Sequence, residues 1–148
     1  MCTNSSAYTW HQGKGLGRMF LRHLRRAKVL LHVVDASLPD PLADFLAVRN
    51  ELRLYNPEYV QRPCVVALNK IDIEGVDELI EELRNGILRE VEENRKAAAE
   101  AQENEKGSGE AYAADGELRI VPVSALGGRN LDQLRENLDL LLKMSSEL

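Results

Sequence analysis

Two short polar stretches carry side chains whose types and spacing suit recognition of a purine base. Asn69-Lys70-Ile71-Asp72 follows one apolar run, and Ser124-Ala125-Leu126 follows another. Guanine presents its N1 hydrogen and its amino group side by side as donors. A carboxylate offers two acceptors at matching spacing, so Asp72 can take both. Adenine lacks that donor pair and would leave the carboxylate unpaired, which is what makes hydrogen-bond readout selective. Asn69 is placed to brace its loop and to reach the N7 side of the purine. The methylenes of Lys70 can lie along one face of the ring. The backbone N–H of Ala125 can donate to guanine O6, the Ser124 hydroxyl can orient the loop, and the small Ala125 side chain lets a base come close. Asn and Asp are also good turn and cap residues, so the same letters describe a polar turn after a strand. One absence counts as much as these presences. Nowhere does the chain contain Gly-x-x-x-x-Gly-Lys-[Ser/Thr], the loop that cradles phosphates.

The elements that must position these loops are legible from periodicity. Leu16, Phe20 and Leu24 recur at helical spacing, with Arg18, Arg22 and Arg25 on the other face. Lys28 to Asp35 is a continuous apolar, β-branched run. Pro39-Asp40-Pro41 breaks the chain, and Phe45, Val48, Leu52 and Tyr55 then step as a helix that ends at Asn56-Pro57. Cys64 to Leu68 reads as a second buried strand. Val76, Ile80, Leu83, Ile87 and Val91 mark the next helix. From Glu92 to Ala114 the apolar stripe is gone, which predicts a solvated helical extension and then a mobile loop around Gly107-Ser108-Gly109. Leu118 to Val123 is a third strand. Asn130 is expected to cap a last helix, with Gln133 as its capping-box partner and Leu131, Leu134, Leu138 and Leu141 as its stripe.

A helix followed by three strand–helix units means an α/β layer fold with a parallel sheet. In such sheets ligands bind beyond the carboxyl ends of the strands, where Asn69 and Ser124 both lie. If the second and third strands pair, the two loops share one edge.

Bulk properties narrow the classes. The chain has 148 residues, one domain by default, with 44% apolar and 29% charged residues. Its formal net charge of -5 argues against general nucleic-acid binding, and no DNA partner is expected. The mean hides a split: residues 11–34 carry six Lys or Arg and no acid, whereas residues 74–110 carry twelve acids against five bases. The acidic stretch reads as a solvated spacer. No apolar run approaches the roughly 18 residues of a membrane span. Cys2 and Cys64 are too few for a zinc site, and Cys64 reads as a buried thiol. His11, His23 and His32 pair with no carboxylate pattern, and His32, inside a strand, reads as a satisfied core residue. No nucleophile–base arrangement is visible.

The segment from His11 through Gly15-Leu-Gly17, Phe20-Leu-Arg-His23 and Val29 to Asp35 resembles the stretch after the second switch of Obg-type GTPases. Leu54-Tyr-Asn-Pro-Glu-Tyr59 is similar to the bacterial and chloroplast branch of that family. Asn69-Lys-Ile-Asp72 is its guanine motif, and Ser124 to Leu134 resembles its last guanine loop and final helix. The likeness covers residues 11–75 and 117–143, with an acidic insertion at about 85–117 between. It implies a partial P-loop GTPase fold, three parallel strands with flanking helices, without the phosphate-loop half. In the family's sheet the strand from Lys28 to Asp35 is covered on both sides, so here it is expected to be an apolar edge prone to aggregation. It implies guanine contacts by Asn69, Lys70, Asp72, Ser124, Ala125 and Leu126. It also implies GTP or GDP as ligand, and Mg2+ in the intact family with no ligands for it in this chain. The family acts in maturation of the large ribosomal subunit, so Arg18, Arg22, Arg25 and Arg26 are candidates for contact with ribosomal RNA or a partner. A chloroplast stroma or a bacterial cytoplasm is the expected compartment.

Residues 1–10 show no family character and are expected to be a leader foreign to it, as in a truncated gene model, a splice form or a degenerate copy. Residues 11–148 are expected, on the resemblance, to form the partial G domain. Three functions stay open. The chain can be an Obg-type protein in ancestry that does not hydrolyse GTP, because groups for phosphate, magnesium and water are missing. It can be a weak guanine-nucleotide binder. Or it can be a non-catalytic module that engages RNA or a partner through the basic helix 15–26.

Overall fold

A computed structural model describes residues 23–104 and 115–146. Three strands, β1 (Leu30–Asp35), β2 (Cys64–Asn69) and β3 (Leu118–Pro122), form one parallel sheet in the order β1-β2-β3. Helices α1 (Pro41–Tyr55) and α2 (Glu58–Gln61) connect the first two strands, α3 (Val76–Asn104) connects the second to the third, and α4 (Leu131–Met144) follows. The strand–helix alternation expected from the sequence is what forms. β2, the central strand, has both faces covered, and Cys64 through Leu68 are all buried, as the near-continuous apolar sequence of a parallel interior strand requires.

The core has two layers. On one face of the sheet Leu30, Val34, Cys64, Val66 and Leu68 pack against Phe45 of α1 and against Val76, Ile80, Leu83, Ile87 and Val91 of α3. On the other, Val65, Ala67, Val121 and Val123 pack against Leu141, Leu134 and Leu138 of α4. The alternation of β1 therefore points Leu31 and Val33 to the α4 side, where they are 46% and 56% exposed. Among the described residues β1 is an edge strand with an apolar outer surface, as expected.

Three local readings need correction. The inward face of α1 is rotated from the expected stripe: Phe45 is buried, but Val48 and Tyr55 are 43% and 45% exposed, and Arg49 occupies the interior at 3%. Arg49 is held there by Asp115 and by the Val60 carbonyl, so charge pairing overrides apolar periodicity. Asp40, expected only to break the chain, accepts from the Ala43 N–H at 3.0 Å and caps α1 ahead of Pro41. Asn130 does not cap α4 with its side chain. Its backbone is left-handed (φ 59°), and its amide nitrogen instead donates to the Pro122 carbonyl at 2.9 Å.

The polar end of α3 is anchored rather than wholly solvated. Ala98 is buried, and Arg95 donates to the carbonyls of Asp115 and Gly116 at 3.0 and 2.5 Å. The buried Asp115 carboxylate pairs with Arg49 and Arg53, so α1, α3 and the entry to β3 meet at one ionic junction. Gly107-Ser108-Gly109 and residues 1–10 lie outside the described residues.

Beside this junction Gly116 lies flush against α2. Its N–H donates to the Val60 carbonyl at 2.8 Å, and a Cβ at this position would sit 2.0 Å from the Gln61 carbonyl oxygen. Backbone, not a flexible side chain, blocks that space. Gly116→Ala is expected to destabilise the fold by about 1–3 kcal/mol, read as a lower urea midpoint with an unchanged slope.

Candidate functional site

The parallel register sets the site. Asp35 lies level with Asn69, and Leu68 with Pro122, so all three strands deliver their following loops to one edge of the sheet. Backbone bonds then join the loops: Val123 N–H to the Leu68 carbonyl at 2.8 Å, and Ile71 N–H to the Val123 carbonyl at 3.3 Å. The expectation that the two polar loops share an edge is met.

Their side chains interlock. The fully buried Ser124 hydroxyl donates to Asp72 Oδ1 at 2.5 Å and accepts from the Gly127 N–H at 2.9 Å. Asp72 is exposed, and among the described residues its second oxygen, Oδ2, has no partner. The carboxylate is thus fixed in direction while keeping most of its acceptor capacity, since each oxygen carries two lone pairs. The loop after Ser124 turns back on itself. Ser124 and Arg129 exchange backbone bonds at 3.2 and 3.1 Å, and Gly128 supplies the positive φ (70°) that closes the turn. The turn presents Leu126 at its tip, 92% exposed. From behind, Arg129 reaches the Ile71 carbonyl and the Asp77 carboxylate, each at 3.4 Å, clamping one loop to the other.

Two of the groups expected to meet the base are already engaged. The Ala125 N–H donates to Asn69 Oδ1 at 3.0 Å, because the two groups face each other across the seam between the loops. A carbonyl oxygen arriving at Ala125 must share or displace that bond. Lys70, at a left-handed φ of 75°, places its ammonium 2.6 Å from Asp35 Oδ2. Asp35 is held in turn through Oδ1 by the Ser37 N–H at 3.0 Å and the Ser37 hydroxyl at 2.6 Å. Burial pushes the Asp35 carboxyl up, but the bonds from Lys70 and Ser37 outweigh it and hold it below its ordinary value. Sequence reasoning missed Asp35, Ser37 and Arg129. The signal for Asp35 was available: the last residue of one parallel strand stands beside the last residue of its neighbour.

The other candidates do not join this site. Arg18 and Arg22 lie outside the described residues, and Arg25 and Arg26 are exposed in the turn that precedes β1. Cys64 is a buried thiol, as expected, and burial pushes it up to about 11. His32 is not the satisfied core residue anticipated. Its ring stacks on Phe45 at 4.9 Å, but its buried Nδ1 has no hydrogen-bond partner. Desolvation, with Arg49 nearby, pushes it down to about 4. Between pH 6.5 and 4 the unfolded chain takes up this proton and the folded chain does not. Stability is therefore expected to fall as pH drops through that window, by about 2–3 kcal/mol from this residue. His32→Phe should flatten that part of a pH–stability curve.

Among the described residues, no group of three or more His, Cys, Asp or Glu side chains could hold a metal ion. No described helix is long and apolar enough to cross a membrane.

Comparison with known proteins bears on this geometry. No protein-family profile matches the chain. A probable GTP-binding protein OBGC2 from Oryza sativa subsp. japonica is 65% identical over 63 residues, 43% of this chain and 12% of the relative. A GTPase Obg from Moorella thermoacetica is 40% identical over 126 residues, 84% of this chain and 23% of the relative. A GTPase Obg from Alkaliphilus oremlandii is 36% identical over 141 residues, 93% of this chain and 27% of the relative. The chain thus spans about a quarter or less of the length of these relatives. Among solved structures, an Era variant from Aquifex aeolicus bound to GDP and AlF4 aligns with a TM-score of 0.52 at 25% identity, covering 82% of this chain and 31% of that one. The α/β arrangement of three parallel strands with flanking helices is therefore that of part of a GTPase G domain.

Proposed function

We propose, from the premise that this chain is homologous over most of its length to proteins named GTPase Obg, that it recognises the base of a guanine nucleotide and does not by itself hydrolyse GTP. Asp72 takes the paired donors of the base, Asn69 and Ala125 meet the N7 and O6 side, Lys70 lies against the ring, and Ser124 and Leu126 shape the rim. The observation that carries this reading is the bond from Ser124 to Asp72 at 2.5 Å. It links residues 52 positions apart in sequence and aims a carboxylate outward from the carboxyl edge of the sheet. An edge of this kind is where ligands bind in open α/β sheets.

No phosphate-cradling loop occurs in the sequence and no metal-ligand cluster among the described residues. Base contacts alone support weak binding, about millimolar, with the phosphates and Mg2+ of the intact family served by groups other than these. A role in assembly of the large ribosomal subunit, and a chloroplast or bacterial cytoplasmic setting, follow the resemblance to Obg proteins. The alternative, RNA or partner binding through the basic helix, has the exposure of Arg25 and Arg26 in its favour.

A nucleoside series tests the base reading. Guanosine should bind most tightly, inosine, which lacks the amino donor, more weakly, and adenosine least. Equal affinity for guanosine and adenosine would remove the role given to Asp72.

A further inference from the structure

We infer that Asp35, at the end of β1, is a positioning residue for the base site: it locks Lys70 in place, and Ser37 locks Asp35. This deepens the guanine reading and rests on it.

Lys70 has a long, flexible side chain, and its backbone sits at a positive φ that non-glycine residues seldom adopt. Two anchors hold it. The backbone anchor is sheet register: Asp35 stands beside Asn69, and the Ala36 N–H donates to the Asn69 carbonyl at 3.0 Å. That fixes the start of the Lys70 loop against the end of β1. The side-chain anchor is the ion pair, 2.6 Å from Lys70 Nζ to Asp35 Oδ2. Asp35 does not swing to meet the lysine, because Ser37 holds its other oxygen with two bonds.

The consequence is a division of labour within one side chain. With the ammonium neutralised at the β1 end, the four methylenes are stretched between two fixed points and offer an apolar strip. The charge itself is withdrawn from competition for anions. A free lysine would lose rotamer freedom on binding a base, and a tethered one has already lost it. Asp35 touches no ligand in this scheme. It acts through Lys70.

The pair is partly solvent-exposed, at 46% for the lysine side chain and 28% for the aspartate, so the expected effect is modest and salt-sensitive. Guanosine is a suitable probe because it is uncharged: any salt dependence of its affinity must come from charges within the protein. Binding of guanosine to the wild-type chain is to be measured by amide chemical shifts at low and high NaCl, beside Asp35→Asn, Lys70→Met and the double variant. Asp35→Asn should weaken guanosine roughly three- to fivefold at low salt. It should also reduce the salt dependence seen in wild type, and add nothing in the Lys70→Met background. Asp35→Glu should recover part of the loss.

Wild-type binding that Asp35→Asn leaves unchanged would overturn this inference and leave the guanine reading standing. So would a loss of equal size with and without Lys70, since that is a structural effect of Asp35 on the fold. Absence of guanosine binding by the wild-type chain would overturn the guanine reading, and this inference with it.

Discussion

Asp115→Ala should destabilise the protein by about 3–5 kcal/mol, the largest effect expected of any single substitution here. Asp115 is 6% exposed and Arg49 is 3% exposed, and they pair directly. Removing the carboxylate leaves a guanidinium buried with only the Val60 carbonyl for company. Arg49 Nε and Nη1 already lack hydrogen-bond partners, so no second acceptor is at hand to take up the charge. Replacing both members with apolar residues of similar size, Arg49→Met with Asp115→Leu, should recover part of the loss, the remainder being the contact of Arg53 with the same carboxylate at 3.3 Å. A buried pair is costly to break, whereas its complete removal is close to neutral. Chemical denaturation of the two single variants and the double variant measures the coupling. Additive losses would show that the two side chains act independently.

That junction is also the part of the fold least legible in the sequence. Arg49 falls at a position where helical periodicity offers Val48 and Leu52, and Asp115 sits at the end of an acidic stretch that reads as spacer. A charge pair linking residues 66 positions apart leaves no periodic trace. By contrast, the strands, their parallel order and the shared edge of the loops were readable. Continuous apolar runs such as Cys64 to Leu68 and amphipathic repeats such as Val76 to Val91 are produced by the burial they predict. At the site, the letters of the two loops gave their residues but not their bonds. That Ala125 donates to Asn69, and Lys70 to Asp35, depends on register between strands, which a motif does not contain.

Asp72→Ala should have the second large effect, on recognition rather than stability. The residue is exposed, and its loop keeps its backbone bonds to β3 through Ile71 and Val123, so the fold should survive. What is lost is a charged acceptor for two donors of the base. Hydrogen bonds to a charged group contribute about 1.5–3 kcal/mol each in net terms, so with two of them lost the preference for guanosine over adenosine should fall by at least ~100-fold or to unity, whichever comes first. Ser124→Ala should cost less, because it frees the carboxylate to rotate but leaves it present. A variant that kept its guanosine preference without Asp72 would place recognition elsewhere in the chain.

A guanine-selective pocket formed by the two loops at the carboxyl edge of the sheet is tested most directly by a titration of the isotopically labelled chain with GDP and, separately, ADP, followed by backbone amide shifts. Shifts with GDP should centre on Asn69 to Asp72 and Ser124 to Leu126, with ADP leaving those amides in place at the same concentration. Identical responses to the two nucleotides, or none at either loop, would contradict it.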